Sequence, residues 1–121
     1  MAKTNLSMED YAGVMVVTFN DSSILDAAAI EQLGKDLYQL TDEQHRQKLV
    51  LDFSNVKFLS SQALGVLLTL HKKAHDLKGE VVLCGLKPEL KKVFTITSLD
   101  KIFKFFADDV AALASFGIRL E

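Results

Sequence analysis

The sequence predicts an α/β domain with a mixed sheet of four to five strands and about four helices. Apolar, β-branched runs at residues 13–19 and 48–53 do not alternate with polar residues, as expected of strands covered on both faces by helices. Between and after these runs the apolar spacing changes to three and four residues, the period of an amphipathic helix. Repeated strand–helix–strand units need right-handed crossovers, and so a sheet that is at least partly parallel.

The elements follow in order. Residues 5–12 can form a strand that pairs with 13–19 as a hairpin around Ala12-Gly13, and Asn20, Asp21, Ser22 and Ser23 end the second strand with turn chemistry. Asp26 stands before an apolar stripe of Ile30, Leu33, Leu37 and Leu40 and is placed to cap a helix that ends near Thr41. After the strand at 48–53, the spacing predicts a helix over 62–77. Leu64, Leu67, Leu68, His71, Ala74 and Leu77 share one broad face of it, and Gly79 is set to close its end. Residues 81–84 read as the next strand. Pro88 suits the first turn of a helix that turns Leu90, Val93, Phe94 and Thr97 inward. Residues 102–106 form a short final strand, and Asp108 caps a last helix through Leu113.

A chain of 121 residues suits a single domain, residues 1–121, that buries about 65% of its unfolded surface. Its apolar runs fall far short of the ~20 residues needed to cross a bilayer, so no membrane span is expected. The opening MAKTNLSMEDYAG does not read as a secretory leader, which points to a cytoplasmic protein. The single Cys84, flanked by Val82, Leu83 and Gly85, reads as a buried strand thiol. A net charge of −2 provides no general reason to bind nucleic acid directly. Residues 1–48 hold 4 basic and 8 acidic side chains and the remainder 10 and 8; this suits either a basic partner surface or ordinary solvated helix faces.

Candidate chemistry is sparse. His71 and His75 have the i, i+4 spacing of a metal pair but no third ligand is suggested, so they read as helix-face histidines and no metal site is expected. The six glycines are scattered rather than gathered into a phosphate loop, and Leu59-Ser60-Ser61-Gln62-Ala63 lacks the small glycines of a nucleophile elbow. Asp108 and Asp109 fit a helix start, where the macrodipole favours negative charge. No cofactor and no catalytic residue are therefore expected. What remains is Ser60-Ser61, where a strand-like stretch turns into a helix. Read from the residues alone, Ser60 is first of all a cap with Ser61 in the first turn. In the alternative, Ser61 projects outward as a phosphate acceptor where helix-end N–H groups can receive the ester.

The run Leu51-Asp52-Phe53-Ser54-Asn55-Val56-Lys57-Phe58-Leu59-Ser60-Ser61, followed by Leu64-Gly65-Val66-Leu67-Leu68, resembles the STAS domains, in particular the single-domain anti-sigma factor antagonists. Supporting matches include Asp26, Gly79 before the strand to Cys84, and Leu99-Asp100-Lys101-Ile102-Phe103. The resemblance implies a STAS-like fold, with Ser61 as the phosphorylated residue of a partner switch. Unmodified, such a protein binds an anti-sigma factor that is also an ATP-dependent serine kinase. Phosphorylation ends the interaction, and a metal-dependent serine phosphatase restores it. The chain is then a binding module and kinase substrate, not an enzyme.

Three positions depart from the family's pattern: Ser60 stands where it has Asp, Gln62 where it has Ser or Thr, and Ala63 where it has Gly. The departures suit a helix start but alter the charge a kinase reads. The partner surface is expected to combine Ser60, Ser61 and Gln62 with Asp21, Ser22, Ser23 and Asp26, because the ends of parallel strands and the helices that follow them share one face. The alternative function within the same fold is an accessory subunit of a lipid-transport or stress-sensing complex that acts by docking.

Overall fold

The computed structural model describes residues 5–119. It begins with a hairpin of β1 (Leu6–Tyr11) and β2 (Val14–Phe19), paired antiparallel from Leu6↔Phe19 to Tyr11↔Val14. Both turn residues have positive φ, 52° at Ala12 and 94° at Gly13, as a two-residue hairpin turn matched to the strand twist requires. Asp10 closes the turn by accepting from the Gly13 N–H at 2.8 Å.

After β3 (Ser23–Ile24) come α1 (Ala27–Asp42), β4 (Lys48–Asp52), β5 (Phe58–Leu59), α2 (Ser61–Asp76) and β6 (Glu80–Cys84). α3 (Pro88–Ile96), a 3-10 turn at Leu99–Lys101, β7 (Lys104–Phe106) and α4 (Asp109–Ser115) complete the order. The main sheet runs β1-β2-β4-β6-β7, parallel except for the β1–β2 pair, so the mixed five-stranded sheet with four helices is as expected. β3 and β5 pair separately, in parallel.

The non-alternating strands have both faces buried. Met15, Val17, Leu49, Leu51, Val81 and Leu83 belong to the larger core, with Ile30, Leu33 and Leu37 of α1, Leu64, Leu67 and Leu70 of α2, and Leu90 and Phe94 of α3. The alternate residues Val14, Val16, Val50, Val82 and Cys84 meet Ala112 and Leu113 of α4. One helix thus covers the second face, and three cover the first. Phe94 joins the far end by edge contacts to Phe53, Phe103 and Phe105 at 5.6–6.4 Å between ring centres.

Four local expectations change. The inward stripe of α2 is Ala63, Leu64, Leu67, Leu70 and Ala74, while Leu68, His71 and Leu77 are only half-buried. Thr97 is exposed at the end of α3 and donates its hydroxyl back to the Val93 carbonyl at 2.8 Å, which lets a polar side chain finish the helix without a buried partner. The last strand begins at Lys104, because Ile102 and Phe103 still bond to Leu99 in the preceding turn. The left-handed residue after α2 is Lys78 at φ 62°, not Gly79. Gly79 is needed for close approach: a Cβ there would lie 2.0 Å from the Gln47 carbonyl oxygen, which accepts the neighbouring Glu80 N–H at 2.6 Å. No helix among the described residues is long and apolar enough to cross a membrane.

Candidate functional site

The loop leaving β4 is locked before it reaches the serines. Asp52 accepts the Ser54 N–H at 2.9 Å, the Val56 N–H bonds to the Phe53 carbonyl at 2.9 Å, and Phe53 and Val56 are fully buried. Lys87 donates to the Ser54 carbonyl from outside. The chain then meets the segment before α1: Lys57 and Phe58 donate their N–H groups to the Ser22 carbonyl at 2.8 and 3.2 Å, and Ser60 donates to the Ile24 carbonyl at 3.1 Å. The starts of α1 and α2 are thereby fixed side by side.

Each start carries its own cap. Asp26 accepts the Ala29 N–H at 2.9 Å. Ser60, in extended backbone at φ −84° and ψ 164°, accepts the Ala63 N–H on its hydroxyl at 3.2 Å, and its carbonyl accepts from Leu64 at 3.2 Å. Ala63 is buried, so the small side chain at this departure fits beneath the helix. Ser61 is the first helical residue, is exposed, and makes no side-chain hydrogen bond among the described residues. Asp21, Ser22, Ser23, Asp26 and Gln62 are also exposed, and Ser60 is half-buried. All seven expected partner residues therefore sit on two segments that hydrogen bonds hold together.

The same surface exposes two large apolar side chains that the sequence reading did not single out, Leu25 and Phe58. Their signal was the in-out alternation around Ile24 and Leu59, too short to register as a period. A cleft of about 40 Å³ opens beside Leu25, lined among others by Phe19, Ile24, Leu25, Ala29 and Leu33. It is water-sized, well below the ~300 Å³ of an ordinary ligand pocket.

The other candidates lie elsewhere. His71 and His75 stack with ring centres 6.3 Å apart, and His71 meets the edge of Phe103 at 5.3 Å. Burial first, and then His75, hold the His71 pKa below its ordinary value. Among the described residues no group of three or more His, Cys, Asp or Glu side chains is placed to hold a metal ion. The Cys84 thiol is buried in β6, and that burial pushes its pKa up to about 12, which keeps it from acting as a thiolate at neutral pH.

A model of the STAS domain matches residues 5–112. This chain belongs to the STAS domain family. BtrV of Bordetella bronchiseptica, provisionally named an anti-sigma factor antagonist, is 32% identical over 115 residues, covering 95% of this chain and 97% of its own. The anti-sigma F factor antagonist of Paenibacillus polymyxa is 26% identical over 108 residues, covering 89% of this STAS domain and 91% of its own chain. Among solved structures, an anti-sigma factor antagonist from Mycobacterium paratuberculosis matches with a TM-score of 0.82 at 24% identity, covering 96% of both chains. The phosphorylated form of SpoIIAA from Bacillus matches with a TM-score of 0.73 at 18% identity over 93% of this STAS domain and 99% of its own chain. These two structural likenesses are likenesses of fold.

Proposed function

We propose that this STAS domain is an anti-sigma factor antagonist that works as a phosphorylation-controlled partner switch in the cytoplasm. Unmodified, it binds an anti-sigma factor serine kinase through the joined segments that carry Asp21, Ser22, Ser23, Asp26, Ser60, Ser61 and Gln62. Transfer of phosphate from ATP to the Ser61 hydroxyl ends that binding, and a serine phosphatase hydrolyses the ester to reset it. The protein contributes a surface and a hydroxyl rather than catalysis.

One observation carries the reading: the two adjacent hydroxyls have different employment. Ser60 is engaged in the helix cap, whereas Ser61 is exposed at the first turn with no partner of its own among the described residues. A phosphate there adds about −1.5 to −2 charges beside unsatisfied helix-end N–H groups, without requiring the fold to change. The near full-length relationship to BtrV supports the same reading.

Incubation with the cognate kinase and ATP, followed by mass spectrometry, is expected to locate phosphate on Ser61. Ser61→Ala keeps partner binding but abolishes the modification, and Ser61→Asp weakens binding. Phosphate on another residue, or equal affinity of all three forms, would count against the switch.

A further inference from the structure

Resting on the partner reading above, we infer that Leu25 and Phe58 are the apolar anchors of the anti-sigma kinase interface, and that phosphate on Ser61 ejects the partner by desolvation rather than by charge repulsion. The strand register places the anchors. Ser23 pairs with Phe58 and Ile24 with Leu59 in parallel, so side chains at paired positions share a face. Ile24 is buried and Leu59 packs on the core. Ser23 and Phe58 are therefore turned to the opposite, outer face, and Leu25, the residue after β3, is exposed as well. Leu25 is 55% exposed and Phe58 58% exposed, values that leave most of each side chain in water although the strands beneath are pinned.

Other large exposed apolar side chains, Met8, Ile96, Ile102 and Val110, are on different elements. Among the described residues, Leu25 and Phe58 are the large exposed apolar side chains next to the modifiable serine: Phe58 lies three positions before Ser61, and Ser60 bonds to Ile24, the residue next to Leu25. Ala27 and Ala28, also exposed, extend the apolar character onto the first turn of α1. The charged residues on the two segments, Asp21, Asp26 and Lys57, sum to only −1, and Asp26 is committed to its cap. A surface of this kind fits a partner face with an apolar centre. The central, water-excluding contacts of an interface carry most of its binding energy, and aromatic side chains are enriched there. A phosphate set beside such a contact must shed its hydration when the partner closes, which is costly where no cation receives it.

The two mechanisms differ in their response to salt. Repulsion between surface charges is screened as the Debye length falls from about 10 Å at 0.1 M to about 3 Å at 1 M, whereas a desolvation cost persists. Affinity for the cognate anti-sigma kinase is measured by calorimetry for the wild type, Leu25→Ser, Phe58→Ser, Ile96→Ser as the exposed control on α3, and the Ser61-phosphorylated protein. The anchor variants are expected to bind at least about tenfold more weakly than wild type, with Ile96→Ser within about twofold. The deficit of the phosphorylated form is expected to change by less than about threefold between the two salt concentrations. Anchor variants within about twofold of wild type overturn the assignment, as does a variant that changes only self-association in sedimentation, since the patch then serves a second copy. Recovery of the phosphorylated form by more than about tenfold in high salt overturns desolvation in favour of repulsion. A wild-type protein that does not bind the kinase at all overturns the partner reading itself, an outcome distinct from both.

Discussion

Ser60 and Ser61 share a side chain and differ by one accepted hydrogen bond. Removing the cap hydroxyl leaves the Ala63 N–H without its protein acceptor at a half-buried helix start. Ser60→Ala is therefore expected to cost about 0.5–2 kcal/mol in urea unfolding. Ser61→Ala, which breaks no bond among the described residues, should stay within about 0.5 kcal/mol of wild type. The reverse order would show that the cap assignment is wrong. The caps at Asp26, Ser60 and Asp108 were legible in the sequence because a cap is a local event, a polar side chain just ahead of an apolar stripe. Gly79 does close the end of α2, its N–H donating to the Ala74 carbonyl at 2.8 Å, but that bond alone does not require a glycine. Its constraint comes from the backbone of Gln47, just before β4, and no local pattern encodes that approach.

α2 shows where periodicity loses resolution. Leu64, Leu67, Leu68 and Leu70 are all apolar, so several rotations of the helix satisfy the same spacing, and the sheet beneath selects the one that buries Leu70 and leaves His71 half-buried. That rotation has a consequence for pH. The His71 Nδ1 is buried without a hydrogen-bond partner, the ring packs on Phe103, and its pKa is lowered from 6.5. Because the folded state holds this imidazole less basic than the unfolded chain does, the unfolded state binds the extra proton more readily as pH falls. Stability from this group is full above about pH 6.5 and declines as the pH drops from there towards the lowered folded value. Chemical denaturation between about pH 7 and pH 5 should thus show a loss of stability that His71→Gln reduces. The Glu80 charge opposes the shift, so the loss is partial rather than complete. An unchanged slope in the variant would assign the effect to other groups.

Across the whole molecule, the placing of helices on both faces of the sheet followed from the sequence pattern: non-alternating strands demand cover on both faces, and the helical stripes supply it. The second, two-stranded sheet did not follow, because β3 and β5 have two residues each and their pairing depends on a contact between segments far apart in the chain. Yet that small sheet, not the large one, joins the two helix starts of the proposed partner surface. Its position outside the main hydrogen-bonded array also makes it a separate unit of stability. The amides of Val50, Leu51 and Val82 lie in central, fully buried strands, whereas those of Lys57, Phe58 and Ser60 depend on a short ladder at an exposed edge. Local opening therefore releases the second set without unfolding the first. Hydrogen exchange followed by NMR should find Lys57, Phe58 and Ser60 exchanging well before Val50, Leu51 and Val82 in the free protein. Partner binding to the joined segments should slow Lys57, Phe58 and Ser60 and leave Val50, Leu51 and Val82 unchanged, since a ligand protects only the openings it opposes. Uniform protection of both sets in the free protein would mean that β3 and β5 open only with the whole domain, and that the partner meets a surface already rigid.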